Sequence, residues 1–476
     1  MFPFNRLNIS ALRLTAAFML SALCLGALSV RADTRPAEMF PDGTRWSAIG
    51  DSITHGGSYY AWVYLYYTTR FPQQELEVAN CGISGDTSSG AVRRYDWDIA
   101  PTAPTQATIM LGMNDVGRSL YGQDDTPQLI EDRAKRMSWY QNNMRQLVQK
   151  LKDDGVTVTL ITPSPYDDTA QIEAQNLTGV NAALGEYGDY VRQLAAEEDL
   201  AVIDFHDAMT ALNEELQADE PSFTLIGPDR VHPRSPGHFV MAYLVLTAQG
   251  APTEVSRVSI DAATLETQTV RARVSNVATP RGGGLAFTCE EEALPFPVAD
   301  EVSPALDYVP FTEELNQEIL SVTGLPGGSY ELSIDQKPVG TVSAEALAAG
   351  INLATFTDTP QYQQALKVLD LVKQWRNEVA TLRGLALIEH TQLRDLPQPV
   401  DFEQARPQLE EKLQQWKTTD ADKPHAAYYA ARIEDYLANK PQEPQIREKV
   451  SALEAQIREA AQPSPHTYLL SPASAQ

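Results

Sequence analysis

Ser52 lies in the stretch RWSAIGDSITHGG, Arg45 to Gly57, and its setting allows two readings. It is either a loop serine closing an ordinary turn after a strand or a nucleophile presented where a strand becomes a helix. A serine hydroxyl is a poor nucleophile until an imidazole takes its proton and a carboxylate holds that imidazole in the right tautomer. Three further loops carry polar residues that a buried sheet would not ask for: NCGISGDTS (Asn80 to Ser88), LGMND (Leu111 to Asp115) and DRVHP (Asp229 to Pro233). Gly, Asp, Ser and Asn are common turn formers, so each loop alone predicts no more than a turn.

The elements around these loops give them a common edge. From about residue 45 to 250 short apolar runs alternate with longer amphipathic segments. WSAIG, LEVAN, ATIML, VTVTLIT and LAVIDF read as strands. The segment from Ile130 to Lys152 repeats Met137, Met144, Leu147 and Leu151 at helical spacing. Such alternation predicts right-handed βαβ units in an α/β fold, a doubly wound parallel sheet with helices on both faces. In such a sheet chemistry collects at the carboxyl ends of the strands. GDS follows the first strand, the Asn80 loop the second and the Leu111 loop the third, while DRVHP comes near the end of the segment.

These four blocks, in this order over roughly residues 40–250, resemble the SGNH, or GDSL, hydrolase superfamily of esterases and lipases, with GDSI here for GDSL. The resemblance implies a three-layer, flavodoxin-like fold and a set of site residues. Ser52 would be the nucleophile and Asp229 and His232 the rest of the triad; the oxyanion hole would comprise the N–H groups of Ser52 and Gly85 and the side chain of Asn114. The residues are compatible with those roles. Asp229 and His232 stand three apart, so a tight turn could bring carboxylate to ring. Gly50 permits a sharp turn after the strand, and a helical start leaves N–H groups free to face a developing negative charge. The G-x-S-x-G elbow of the α/β-hydrolases does not occur in the chain.

Other histidines compete with His232. His206, flanked by Asp204 and Asp207, reads as a satisfied histidine in a strand-to-helix turn, and His238 as structural. His55, close to Ser52, is a candidate substrate contact. So is Tyr59, beside Tyr60 at the start of the aromatic stretch GGSYYAWVYLYY, in which Trp62, Leu65 and Tyr66 face the core. Tyr166, in the loop TPSPYDD after the fourth strand, is a third candidate. No His, Cys or Asp cluster has zinc-site spacing, which argues against metal catalysis, and the chemistry asks for no cofactor.

Composition bounds the rest. At 476 residues with a formal charge of −26, the chain should repel phosphate backbones and anionic lipid, which argues against nucleic-acid and membrane-surface partners. The start combines Arg6 and Arg13, an apolar run from Leu14 to Val30 and small residues around Ala32. This predicts a signal peptide over residues 1–32 and a secreted or periplasmic protein without stable membrane insertion after cleavage. Leu23 before Cys24 fits a lipoprotein site poorly. Cys81 and Cys289 could form one disulfide or remain two buried thiols.

Beyond the hydrolase segment, residues 255–356 alternate in the manner of a small antiparallel β-domain, with LPGG as a turn between EILSVTG and SYELSID. Residues 360–461 read as a charged helical hairpin or bundle, and 462–476 as a tail that drapes over the surface or frays. Together these features predict a secreted serine esterase acting on short-chain, above all acetyl, esters of a small molecule or polysaccharide. The alternatives are a lipase or lysophospholipase, which would prefer long acyl chains, and a glycan-binding protein with a vestigial hydrolase half.

Overall fold

The computed structural model describes residues 35–473, so the predicted signal segment lies outside the described residues. Five parallel strands form the central sheet in the order β2-β1-β3-β4-β5: β1 (Thr44–Gly50), β2 (Leu76–Gly82), β3 (Gln106–Met110), β4 (Thr157–Ile161) and β5 (Ala201–Ile203). Each answers to one of the five apolar runs. Such runs suit strands covered on both faces, and Ala48, Ile49, Ile109 and Leu160 are fully buried. The helices between the strands are α1 (Ser52–His55), α2 (Tyr59–Arg70), α3 (Ser88–Arg94), α4 (Pro127–Asp153), α5 (Val180–Glu198), α6 (His206–Asp219) and α7 (Ser235–Ala248). α2 packs against α7, while α3 and α5 flank α4. The register sets Gly50 beside both Gly82 and Met110, so the loops after β1, β2 and β3 leave the sheet at one level.

The β-rich region departs from a simple meander. Its strands are β6 (Glu254–Asp261), β7 (Thr267–Val270), β8 (Ala272–Ala278), β9 (Leu285–Glu291), β10 (Gln317–Thr323), β11 (Ser329–Ile334), β12 (Lys337–Ser343) and β13 (Ile351–Asn352). They form two sheets, and β10 runs parallel to β6 where a purely antiparallel plan was expected. LPGG is not a hairpin turn: β10 lies in one sheet and β11 in the other. Alternation reports which face of a strand is buried, not which strand it pairs with.

Four helices follow: α8 (Pro360–Thr391), α9 (Phe402–Lys417), α10 (Ala426–Asn439) and α11 (Glu443–Ala460). α9 and α10 close a small core around Leu409, Ile433 and Tyr436 to which the end of α8 adds Leu385 and Ile388. Earlier along its length α8 joins the hydrolase core, where Trp375 is wholly buried against the rings of Tyr60 and Tyr64 of α2. The division between residues 40–250 and 360–461 is thus one of sequence and not of packing.

The expected tail is corrected outright. Residues 466–472 form β14 (His466–Pro472), a central strand between β11 and β9 that completes the second sheet. In TYLLS alternation sends Tyr468 and Leu470 inward and leaves Leu469 outside, and the Pro and Ser around it mask that short signal. Leu470→Ala is expected to cost about 2–5 kcal/mol of unfolding free energy, measurable by urea denaturation. A cost near zero would mean that the strand frays.

Candidate active site

Ser52 opens α1 directly after β1. Gly50 is required just before it, because a Cβ there would stand 2.2 Å from Thr54 Oγ1. Asp51 caps the helix, its Oδ1 accepting from the Ile53 N–H at 3.0 Å. Ser52 Oγ lies 2.8 Å from His232 Nε2, and His232 Nδ1 lies 2.5 Å from Asp229 Oδ2. The Asp229 Oδ1 atom accepts from the N–H groups of Val231 and His232. Burial alone would raise the Asp229 carboxyl, but the hydrogen bonds from His232 and Val231 hold it well below the usual carboxylate range. Between the two, Arg230 takes a left-handed conformation (φ 63°) and turns its guanidinium inward, donating to the carbonyls of Asp167, Ala170, Ile172 and Ala174. Arg230 therefore clamps the turn that carries both Asp229 and His232.

The second and third loops meet beside Ser52. Gly85 has φ +78°, and the N–H groups of Ser52 and Gly85 have no protein acceptor among the described residues. Asn114 Nδ2 donates to the Asp86 carbonyl at 2.9 Å and makes only a long 3.4 Å contact with Asp51 Oδ2, while Arg118 Nη1 holds its Oδ1. Asp115 Oδ1 accepts from Ser88 N–H, which ties the third loop to the second. The structure thus brings together Ser52, Gly85, Asn114, Asp229 and His232.

The three substrate-contact candidates are placed differently. Tyr59 is fully buried, its hydroxyl 3.1 Å from Thr54 Oγ1 and its ring stacked on His238; Tyr60 is buried beside it. Tyr166 is buried too, its hydroxyl donating to the Gln175 carbonyl and accepting from Leu177 N–H. Both tyrosines hold segments in place, because helical and loop geometry turn their rings into the core. His55 is half-buried and faces the second loop, where its Nδ1 accepts from Ser84 N–H at 3.3 Å. Burial and the charges of Arg383, Arg432 and Arg94 push its pKa down to about 3, so it acts as a neutral acceptor one residue before Gly85. His206 is satisfied by Asp207 and Asn181. Cys81 and Cys289 are both buried free thiols. Among the described residues no group of His, Cys, Asp or Glu could hold a metal ion.

Residues outside the four loops also build the site. Arg94 is wholly buried, pairs with Asp86 and Asp98, and donates to the carbonyls of Gly50 and Cys81. From α8, Arg383 donates to the Gly82 carbonyl and to Asp98, His390 Nε2 reaches Asp86 Oδ1 at 3.2 Å, and Arg376 donates to the carbonyls of Gly56 and Gly57. Arg376, Arg383 and His390 are spaced seven apart, which puts them on one face of the helix. That repeat is the one signal in the sequence that could have revealed them.

Residues 48–239 match the model of the GDSL-like lipase/acylhydrolase family. A gut microbial diltiazem-metabolizing enzyme is 32% identical, aligns over 92% of this chain and 100% of its own, and superposes with a TM-score of 0.84. The chain belongs to the GDSL-like lipase/acylhydrolase family. An acetylxylan esterase from Geobacillus stearothermophilus is 29% identical over 223 residues, which are 44% of this chain and 94% of that protein. The GDSL-like acylhydrolase described here is a carboxylic ester hydrolase. Its likeness to the diltiazem-metabolizing enzyme extends beyond the hydrolase segment into the β-rich and helical regions.

Two consequences can be measured on this acylhydrolase. Burial, with Asp115 and Asp86 nearby, pushes Asp51 up to about 7 despite the Ile53 N–H and His232. A carboxyl raised in the fold is most stabilising when protonated, and that contribution is lost as pH climbs from about 4 to about 7. Asp51→Asn should therefore flatten the fall of Tm over that window, and an unchanged slope would count against it. Arg383→Ala leaves Asp98 buried with one of its two guanidinium partners gone, which should cost about 3–5 kcal/mol in a urea titration.

Proposed function

We propose that the protein is a secreted or periplasmic serine esterase that removes acetyl groups from carbohydrate. The observation that carries the reading is the continuous hydrogen-bonded line from Ser52 Oγ through the His232 ring to Asp229, at 2.8 and 2.5 Å, beside two unpaired N–H groups. In this mechanism His232 Nε2 takes the proton as Ser52 Oγ attacks the ester carbonyl, and ionised Asp229 holds the tautomer and stabilises the imidazolium. The carbonyl oxygen, now negative, is received by the N–H groups of Ser52 and Gly85 and by the Asn114 amide. His232 returns the proton to the departing alcohol, and a water activated by the same ring then releases the acyl group from Ser52.

Sequence similarity to an acetylxylan esterase supports a short acyl group on a sugar. So does the lining of the approaches. One side of the site borders a cleft with Asn114, Arg118, Gln123 and Gln175, and the other a cleft with Arg234, Lys373 and Arg376. A lipase needs a broad apolar surface there. Among the described residues, the large apolar side chains left exposed are Ile130, Trp139, Leu265, Val270, Tyr428 and Leu469, none of them on the four loops. The N-terminal sequence pattern supports export.

Ser52→Ala should keep the thermal unfolding transition and lose nearly all acetate release from acetylated xylan; wild-type turnover in that variant would end the reading. Asn114→Ala should lower kcat by about 10²–10³, from the roughly 3–4 kcal/mol one oxyanion donor contributes. Aryl esters of increasing chain length should be cleaved progressively more slowly, the opposite of a lipase's order.

A further inference from the structure

A pocket of about 470 Å³ opens beside the triad. Gly56, at the end of α1, and Pro233 and Arg234, just after His232, form the wall nearest the reacting groups. Lys373 and Arg376 of α8 also line it, as does Glu301. Part of this pocket, Val372, Lys373 and Arg376, therefore comes from a helix outside the segment that defines the family.

Its charge is opposite to that of the chain. Three cations and one acid line it, in a protein whose formal charge is −26. Lys373 Nζ and Glu301 Oε1 pair at 2.8 Å and cancel. Arg376 spends its Nε and Nη2 hydrogens on the carbonyls of Gly56 and Gly57, and Arg234 is exposed. Neither guanidinium has an ion-pair partner among the described residues. Burial would raise the Glu301 carboxyl, but the hydrogen bond from Lys373 and the charges of Lys373 and Arg376 hold it below its usual range, so it stays an anion.

Among the described residues, the one histidine that lines the pocket is buried and neutral. His238 is nine-tenths buried, and its Nδ1 has no hydrogen-bond partner. Burial and the charges of Arg376 and His232 push its pKa down to about 3, so it adds no charge of its own. Two guanidinium groups with no ion-pair partner among the described residues suit a carboxylate, whose planar oxygens match the arginine fork.

We propose that this pocket binds the alcohol part of the ester and selects an alcohol that carries a carboxylate, that is, an acetylated uronic acid residue or an oligosaccharide built from them. The inference rests on the reading of Ser52 as the nucleophile of an acetyl esterase. Within that reading, Arg234 and Arg376 set the identity of the leaving group while the triad performs the hydrolysis.

The test compares acetylated oligogalacturonate with the same acetylated oligosaccharide whose carboxylates are methyl esters, scoring acetate alone. The full-length protein should show a kcat/KM about tenfold higher on the free acid, carried mainly by KM and shrinking as salt is raised. Arg234→Gln should bring the ratio of the two substrates close to one, whereas Lys135→Gln, on the remote α4, should leave the ratio where it was. Equal rates on both substrates in the wild type, or a ratio unaltered in Arg234→Gln, would overturn the proposal. 4-Nitrophenyl acetate separates the two levels. Acetate release from it with no preference for free carboxylates sinks the uronate inference alone, whereas no Ser52-dependent release from it sinks the esterase reading beneath.

Discussion

Two arginines that converge on one buried carboxylate hold the molecule together around its site. Arg94 and Arg383 both reach Asp98, Arg94 also reaches Asp86, and between them they cap the carbonyls of Gly50, Cys81 and Gly82. Those carbonyls end β1 and β2, where backbone acceptors leaving a sheet need partners other than water. Burial alone would raise the Asp98 carboxyl, yet the two guanidinium groups hold it well below the usual range. Charges this deep are tolerable only while every partner is present, because an uncompensated ion in the interior is far more costly than the pair itself. The loop with Gly85 therefore has its observed shape only with α8 docked on it.

α8 owes its own position to both ends of the chain. Near its start, Gln361 Nε2 donates to Glu291 and Glu318, two glutamates whose carboxyls burial pushes up, and also contacts Tyr468 of β14. Near its end, His390 meets Asp86. A helix of this length spans about 48 Å at 1.5 Å per residue, enough to link the β-rich sheets to the loops after β1 and β2 as one rigid spar. Since β14 closes one of those sheets, the last strand of the chain bears indirectly on loops near its beginning. Contacts so distant in sequence have a large loop-closure cost, which the burial of Trp375, Leu453 and Ile457 in the shared core helps to offset.

This long-range dependence explains what could be read from the sequence. The five central strands and the long α4 were legible because each is set by local periodicity and by burial on known faces. The meeting of the loops that carry Ser52, Gly85 and Asn114 was legible because a parallel sheet delivers its first loops to one edge, whatever follows. Tyr59 and Tyr166 looked like substrate contacts because an aromatic ring near a nucleophile has no periodic signature to say which way it turns. Their neighbours Thr54, Gln175 and Leu177 decide that, through hydrogen bonds visible only in three dimensions. LPGG misled because a turn motif marks a change of direction without saying which sheet the chain enters next. The clamp of Arg230 on residues 167–174 and the seven-spaced face of α8 were on the page as letters, but their partners lie tens or hundreds of residues away.

The openness of the site follows from the same construction. Side-chain exposures of 51% for Asp229 and 47% for His232 leave both groups open to solvent, and in water a lone carboxylate would hold a ring only loosely. Here the geometry is fixed from behind: both N–H groups from the turn are spent on Asp229 Oδ1, and Arg230 pins the turn to a separate loop. Rigidity of the backbone substitutes for burial of the side chains, so Asp229 and His232 stand at the surface without losing alignment. The cost of that openness is weaker electrostatics, since charges facing solvent are screened. Behind Ser52 and Gly85 that screening is absent, because the Arg94 pairs with Asp86 and Asp98 that brace these loops are buried.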